Sequence, residues 1–357
     1  MATTSLIENF QALKVRDGSN DAQRQAICLP FNPGSDFGIP SERRGKVDRY
    51  LFRVFDEYSD GSTDSIWAKS RDANHHPEPR ANSYKDIFAR DDRCEAAQAL
   101  RRHLQWDGGS YEEDNFVSWS SSLLVVLQYA HYRARRFCDG NFESVFLCVV
   151  DTTLLPPMSF MRDMDLLTAF SRYDDLSSGI KTLPQLQSLR QRKHREYTGS
   201  YYFGEYLSQG ALRIEDRCRI MPMQDIIDAG LYTLREELKP PATGAEFWAN
   251  KVIMLREQFY MSHPCHALGD KATQAALHIG DLYGTTWILP ITLAFLALEP
   301  RLARDEAMIM ELRHLYCEGE LISILLSTRA EANIAPKMLK HFHSHLKRRR
   351  WFQTTLC

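Results

Sequence analysis

The sequence of 357 residues predicts an α+β protein, and two observations carry this prediction. Short runs rich in aromatic and β-branched residues occur between residues 48 and 222, where they are mixed with segments of helical spacing. From residue 223 onward the apolar spacing is helical almost throughout. Regular strand–helix–strand alternation and a GxGxxG turn are both absent from the sequence, so a doubly wound parallel sheet is not expected.

The order of these signals divides the chain into three regions. Residues 1–47 are polar and rich in turn signals, and we expect a loosely packed arm. Residues 48–222 predict the mixed α+β domain. Residues 223–357 predict an all-helical domain that ends in a basic tail.

Within the mixed region, a strand is predicted at Tyr50–Phe55, where the apolar run YLFRVF follows a polar stretch. The polar segment 56–82 predicts a long surface loop. Ser120–Ser122 are placed to cap a helix that follows the strand FVSWS. The remaining predicted elements are a helix over 86–106 and strands over 144–151, 200–210 and 211–223.

Composition excludes several classes of protein. Hydrophobic residues make up 44% and charged residues 25% of the chain, so general disorder is excluded. The most apolar stretch, Trp287–Leu298, has roughly 12 residues and is shorter than the ~20 that cross a bilayer. The eight cysteines form no CxxC pair, and the first residues lack the pattern of a secretory signal. We therefore expect a cytoplasmic protein with reduced thiols and no membrane partner.

The acidic motif DDRCE is the first candidate for chemistry. On a helix, Asp91, Asp92 and Glu95 lie three and four positions apart and share one face. Clustered carboxylates can bind a guanidinium, an ammonium group or a divalent metal, or can act as a base. Acidic residues near a helix N-terminus also complement the helix dipole without any catalytic role. Both interpretations stay open on these residues.

A second candidate consists of Arg53 in the first strand, Ser118 and Ser120 in FVSWSSS, and Glu205 in FGEYLSQG. An arginine in an apolar strand needs a partner or a ligand, because an unpaired buried charge is costly. Serines that lead into a helix N-terminus suit an anionic or acyl ligand. A glutamate between aromatic residues favours a raised pKa. The alternative is an internal Arg53–Glu205 ion pair with a simple serine cap.

The C-terminal tail is the third candidate. Arg348, Arg349 and Arg350 follow other basic residues and precede Trp351, a pattern typical of segments that contact nucleic-acid backbone and bases. A solvated basic helix is the alternative. The histidine pairs in HPCH (263–266) and HFHSH (341–345) have no third ligand nearby, so no metal site is predicted.

The order of the second candidate's motifs along the chain is a strand with Arg53, the serines of FVSWSSS before a helix, and a strand with Glu205. This order resembles a fungal domain family of uncharacterised function and, through it, the ADP-ribosyltransferase fold. The resemblance covers about residues 48–222. It implies that Arg53, Ser118, Ser120 and Glu205 line a nicotinamide cleft and that NAD is a substrate. Many arginine-modifying transferases have Glu or Gln two residues before the catalytic Glu. Phe203 stands there in this chain, which disfavours modification of protein arginine.

The DDRCE motif, in a chain with one mixed and one helical half, resembles the fungal arginine-containing cyclodipeptide synthases. This resemblance implies an enzyme of secondary metabolism that condenses arginyl-tRNA with a second aminoacyl-tRNA into a diketopiperazine, without a cofactor. Asp91, Asp92 and Glu95 would bind the arginyl side chain or its amine, and Arg348–Arg350 would contact tRNA. Ser118 or Ser120 would hold an acyl ester. The alternatives are an NAD-using ADP-ribosyltransferase or glycohydrolase and a non-catalytic RNA-binding module.

Overall fold

The structure, a computed structural model, describes residues 28–76, 84–105, 114–174, 181–194, 197–198, 201–240, 247–261 and 270–298. Residues 1–27 of the predicted arm, the HPCH segment and every element predicted after residue 298 lie outside these ranges. The basic tail with Arg348, Arg349 and Arg350 also lies outside the described residues.

Eleven strands are present in the described residues. They are β1 (Tyr50–Phe55), β2 (Ser62–Thr63), β3 (Trp67–Lys69), β4 (Phe116–Ser120), β5 (Phe146–Asp151), β6 (Met161–Arg162), β7 (Lys193–His194), β8 (Tyr197–Thr198), β9 (Glu205–Gln209), β10 (Ala211–Arg213) and β11 (Cys218–Pro222). The α-helices in the same ranges are α1 (Arg71–His75), α2 (Arg93–Gln105), α3 (Leu123–Phe137), α4 (Asp163–Phe170), α5 (Leu183–Gln191), α6 (Met223–Asp228), α7 (Leu231–Leu234), α8 (Trp248–Met261), α9 (Asp270–Leu282) and α10 (Ile288–Leu296). The predicted α+β class is confirmed.

The main sheet has six strands in the order β11-β5-β1-β4-β9-β6, and its paired strands run antiparallel. β1 pairs with β5 along its whole length, from Tyr50↔Asp151 to Phe55↔Phe146. On its other edge β1 pairs with β4 at one position, Phe52↔Ser120. The sheet is therefore divided into two halves by a gap between β1 and β4.

Helices cover one face of this sheet in two separate layers. On the β1–β5 half, Phe52 and Val149 pack in a core with α3 and with the helices from α6 to α10. On the β4–β9 half, Phe116 and Leu207 pack against α2, α4 and α5. Since Phe52 and Ser120 are paired, both layers lie on the same face, and the gap runs between them. A third core on the opposite face contains Trp119.

Local signals explain where the helices near the gap begin. The Ser122 hydroxyl accepts a hydrogen bond from the Val125 N–H and caps α3, as the sequence predicts. The predicted helix over 86–106 is interrupted, because Asp92 accepts the N–H groups of Cys94 and Glu95 and α2 starts after it. A separate 3₁₀ turn occupies Ile87–Ala89.

The prediction of a long surface loop over 56–82 is wrong, because the segment contains β2, β3 and α1. These strands have two and three residues, and β3 pairs with its neighbour β2 on one edge and with the distant strand β10 on the other, where Arg213 pairs with Trp67. A strand that short has no visible period of its own, and its pairing with β10 is not local. The strand predicted over 211–223 is likewise divided into β10 and β11.

Candidate active site at the gap in the sheet

A cavity of about 480 Å³ opens where β1 and β4 separate. Its walls come from β1, from the C-terminal half of α2, from β4 and α3, and from Glu205 at the start of β9. All four residues of the second set predicted from the sequence line it, namely Arg53, Ser118, Ser120 and Glu205. The structure thus brings together four residues that are up to about 150 positions apart in the sequence.

Ser118 is the first member of a hydrogen-bonded chain of three side chains. Its Oγ lies 2.8 Å from Nε2 of His103. The other ring nitrogen of His103, Nδ1, lies 2.7 Å from Oδ2 of Asp114. A serine, a histidine and an aspartate joined in this order are the arrangement that activates a serine hydroxyl as a nucleophile.

The buried face of α2 packs against the sheet and positions His103 next to it. Ala96, Leu100 and Leu104 follow each other at four-residue spacing and are buried. His103 lies beside this stripe, with its ring centroid 5.4 Å from that of Phe116 on β4. The helix therefore presents an imidazole to the strand that carries Ser118.

Asp114 is fixed just before β4 by hydrogen bonds on both sides. Its carboxylate accepts the N–H of Phe116, and its carbonyl accepts the N–H of Asp72 at the start of α1. The carboxylate oxygen that faces His103 is thus held in place by the chain itself, as an orienting group requires.

The pKa of His103 is raised above its ordinary value. Burial alone would lower the pKa, but the charge of Asp114, the hydrogen bond that His103 donates to it and the charge of Glu205 outweigh that effect. The positive charge of Arg53 acts in the opposite direction. An imidazolium at this position donates from both nitrogens, so Ser118 then donates its own proton elsewhere.

Glu205 is the other group that can receive this proton. The Ser118 hydroxyl donates to Oε1 of Glu205 over 2.8 Å. The second carboxylate oxygen, Oε2, accepts from Nη1 of Arg190 at 2.8 Å, and the same guanidinium is bonded to the fully buried Asp163. Glu205 is thus held in one orientation between a serine and an arginine.

Gly204 allows the chain to enter β9 at this point. It has a φ of +66°, and a Cβ there would lie 2.6 Å from Oγ of Ser121. The Gly204 carbonyl accepts the N–H of Ser121, which ties the start of β9 to the end of β4. A side chain at position 204 would disturb both the backbone and this contact.

Arg53 closes the gap from the β1 side. Its Nη1 donates to the Ser118 carbonyl at 3.0 Å, and its Nε donates to Oγ1 of Thr63 at 3.0 Å. Burial lowers the pKa of Arg53 from its ordinary value. In the alternative raised from the sequence, Arg53 pairs with Glu205; the structure instead pairs Glu205 with Arg190.

Ser120 lines the cavity, but its hydroxyl has a structural role. It donates to the Phe203 carbonyl at 2.7 Å and accepts the N–H of Ser122 at 3.0 Å. Of the two serines proposed from the sequence, Ser118 is therefore the one with a base beside it.

The three carboxylates of DDRCE lie at the surface and do not line this cavity. Asp91 forms an ion pair with Lys85 at 2.7 Å, which lowers the pKa of Asp91. Asp92 caps α2, and Glu95 is exposed in the first turn. The sequence predicts that the three carboxylates share one helical face; this prediction is wrong, because α2 begins at Arg93 and Asp91 and Asp92 precede it.

Sequence reasoning missed four residues of the site, namely His103, Asp114, Arg190 and Asp163. A signal for His103 was present, since it follows Leu100 by three positions on the apolar stripe of α2. The other three come from the start of a strand, the end of one helix and the start of another. These three residues come together only through the fold, so no regular spacing in the sequence predicts their contact.

Two further findings concern the described residues alone. They contain no group of three or more His, Cys, Asp or Glu side chains placed to hold a metal ion. None of their helices combines the length and the apolar character needed to cross a membrane.

Residues 46–215 match the family model of a domain of unknown function, DUF7587. The matched segment is slightly less than half of the chain, and it contains Arg53, His103, Asp114, Ser118 and Glu205. Neither the curated proteins nor the solved structures gave a match. The chain is thus similar to this domain from the end of the N-terminal region to β10, and the site lies within the similar segment.

Proposed function

We propose that the protein is an acyltransferase that forms a cyclic dipeptide from arginyl-tRNA and a second aminoacyl-tRNA, with Ser118 as the nucleophile. The observation that carries the acyl-transfer chemistry is the chain Ser118–His103–Asp114 in the wall of a cavity. The identity of the arginyl group comes from the sequence resemblance of DDRCE. Asp91, Asp92 and Glu95 have no step in the transfer.

In the first step, Oγ of Ser118 attacks the carbonyl carbon of the aminoacyl ester. A Ser118–acyl ester forms, and the bond from that carbon to the ribose oxygen breaks. His103 takes the Ser118 proton and returns it to the departing ribose oxygen, while Asp114 stabilises the imidazolium. In the second step, the free amine of another aminoacyl ester attacks the Ser118 ester, forms the amide and releases Ser118. Attack of the remaining amine on the second ester closes the ring and releases the second tRNA.

Mass spectrometry of the products tests this proposal. Purified protein is incubated with charged total tRNA, and the small-molecule fraction is analysed for cyclo(Arg-Xaa). Ser118→Ala should abolish the product, because the nucleophile is missing, whereas Ser118→Cys should retain part of the activity. Ser41→Ala, at an exposed position outside the cavity, is the matched control. Normal turnover by a folded Ser118→Ala protein would exclude the covalent route.

The intermediate provides a second readout. Protein mixed with labelled arginyl-tRNA and quenched in acid should carry label that alkali removes, because an ester is labile to base. Ser118→Ala protein should carry none. Label that persists in Ser118→Ala would place the acyl group on another residue.

A second function is favoured by a different observation. Arg53 donates to the Ser118 backbone, and the Ser118 hydroxyl donates to Glu205. This grouping, on strands β1, β4 and β9 beside a gap in the sheet, supports an ADP-ribosyltransferase-like domain over residues 48–222, followed by the helical domain. Such an enzyme would release nicotinamide from NAD, and Glu205→Gln should stop the release. Glu215→Gln is the control, because Glu215 is a half-buried ion-pair partner of Arg213 that does not line the cavity. Failure of the unmodified protein to release nicotinamide would exclude this function.

A further inference from the structure

An aromatic wall lines part of the cavity. It consists of Tyr58, Tyr129, Tyr132 and Phe137. The rings of Tyr58 and Phe137 are stacked with centroids 6.4 Å apart, and those of Tyr129 and Tyr132 are stacked at 5.9 Å. Tyr58 is 56% exposed and Phe137 is 36% exposed. Large aromatic side chains that remain exposed beside a cavity are typical of a surface that receives a flat ligand.

A cationic rim borders the same cavity. Lys69, Arg71 and Arg102 line it from β3, α1 and α2. Arg71 forms an ion pair with Asp60 at 3.6 Å, and Asp60 is 71% exposed at its side chain. Arg102 directly precedes His103 in the sequence, and Arg71 directly precedes Asp72, whose N–H donates to Asp114. Two rim residues are thus sequence neighbours of His103 and of the residue that is hydrogen-bonded to Asp114.

The charges of the cavity favour an anion. Among the described residues, five cationic side chains line it, namely Arg53, Lys69, Arg71, Arg102 and Arg133. The carboxylates among its lining residues are Asp60, Asp114 and Glu205. Asp114 and Glu205 are bonded to His103 and to Arg190, and two of the cations are paired as well, Arg133 with the buried Asp56 and Arg71 with Asp60. The lining still contains more cationic side chains than carboxylates. A ligand that carries both a flat ring and a negative charge fits the wall and the rim.

We propose that this cavity binds a nucleoside monophosphate unit of a larger ligand, with the base stacked on the aromatic wall and the phosphate on the cationic rim. The volume of about 480 Å³ is in the range of pockets that hold such small groups. The sugar then lies between wall and rim, next to Ser118. The larger ligand is either the 3′ end of an RNA or a free dinucleotide, since both present a base and a phosphate on one ribose. Its assignment to the end of an aminoacyl-tRNA rests on the proposed function, whereas affinity for the monophosphate does not.

Binding of adenosine 5′-monophosphate to the full chain, measured by calorimetry, tests the subsite. Adenosine, which lacks the phosphate, and ribose 5-phosphate, which lacks the base, should both bind more weakly. Tyr58→Ala should weaken binding roughly 5- to 100-fold, as expected for loss of one stacking partner. Arg71→Ala should weaken binding and reduce its dependence on salt.

Two matched variants serve as controls. Tyr84 is 53% exposed, close to the value for Tyr58, and does not line the cavity. Arg213 forms an ion pair with one carboxylate, as Arg71 does, and also lies elsewhere. Tyr84→Ala and Arg213→Ala should bind the monophosphate as the unmodified protein does. Absence of saturable binding, or equal losses in the control variants, would overturn the proposal.

Displacement of the bound monophosphate identifies the source of the unit. A short RNA that ends in CCA should displace it if the ligand is an RNA end, and NAD should displace it if the ligand is a dinucleotide. Displacement by neither would overturn the assignment to a larger ligand. Calorimetry of the monophosphate needs no acyl transfer, so loss of the subsite and loss of cyclo(Arg-Xaa) formation are separate results.

Discussion

Ser118 has two neighbours that can accept its proton, and the protonation of His103 decides between them. When His103 is charged, both of its nitrogens donate, and the Ser118 proton points to Glu205. When His103 is neutral, Nδ1 donates to Asp114 and Nε2 accepts from Ser118. The second state is the one in which a histidine can activate a serine.

The rate of acyl transfer should therefore rise with pH through the pKa of His103, which lies above the ordinary ~6.5. Asp114→Asn removes the charge that raises this pKa, so the inflection should move to lower pH. His103→Gln should abolish the inflection and lower the rate by roughly 10²- to 10⁴-fold. Initial rates between pH 5 and 9 measure both effects, with His75→Gln at an exposed position as control. An unchanged inflection in Asp114→Asn would show that His103 is not the base.

Asp92 contributes to stability through the N-terminus of α2. Its carboxylate accepts the N–H groups of Cys94 and Glu95 at 2.9 Å. Asp92→Ala should lower the free energy of unfolding by about 1 kcal/mol, the usual contribution of a helix cap. It should leave the rate of product formation unchanged, because the residue does not line the cavity. Thermal unfolding and turnover are compared with those of Asp92→Asn, which can still cap. Loss of turnover without loss of stability would show that the DDRCE motif takes part in the reaction.

At the scale of elements, α3 connects the site to the helical layer. Its N-terminus follows the serines of β4, and Tyr129 and Tyr132 on its side reach the cavity. On the same helix His131 is buried, with Nε2 3.0 Å from the hydroxyl of Tyr232. Burial, with the positive charges of Arg135 and Lys251, lowers the pKa of His131 to about 4.

Acid should destabilise the protein through His131. Between about pH 4 and the unfolded value of ~6.5, the unfolded chain binds a proton at this histidine that the folded chain does not. The free energy of unfolding therefore keeps its full value above pH ~6.5 and falls by roughly 3 kcal/mol as the pH decreases to about 4. Denaturant unfolding across this range should show a weaker pH dependence in His131→Phe than in the unmodified protein or in His75→Phe. An equal pH dependence in all three would exclude His131 as the cause.

The elements that the sequence predicts well are those with a period of their own. The strand Tyr50–Phe55 is confirmed at both ends, and Ser122 caps α3 as expected. β2 and β3 escaped prediction because a strand of two or three residues has no period to detect. The site was found in part: Arg53, Ser118 and Glu205 stand out as polar residues in apolar strands, whereas Asp114 and Arg190 depend on contacts that only the fold creates.

At the scale of the whole molecule, one apolar core joins both predicted regions. Phe52 and Val149 of the sheet pack in the same cluster as Val252, Ile279 and Leu293 of the later helices. Arg256 on α8 also donates to the Tyr202 carbonyl at 2.6 Å, close to the start of β9. The segment that matches the domain family therefore has one sheet face covered by residues that follow it in the chain.

Removal of the residues after Pro222 should expose this face. The remaining chain would present a large contiguous apolar surface, which favours aggregation. We expect residues 1–222, expressed alone, to be insoluble or to bind a hydrophobic dye without a cooperative thermal transition. The full chain, prepared in parallel, should unfold cooperatively. A cooperative transition of the shorter protein would show that the matched segment folds independently.

The single residue pair between β1 and β4 has a mechanical consequence. Ser118, His103, Asp114 and Glu205 all belong to one leaf of the sheet with its helices, and Arg53 belongs to the other leaf with Tyr129. A change in the aperture between the leaves alters the separation of Tyr129 and Ser118 but leaves the distances within the serine–histidine–aspartate chain unchanged. Across the gap, the hydrogen bond from Arg53 to the Ser118 carbonyl joins this leaf to the other one, so the nucleophile's backbone also bears on the width of the opening.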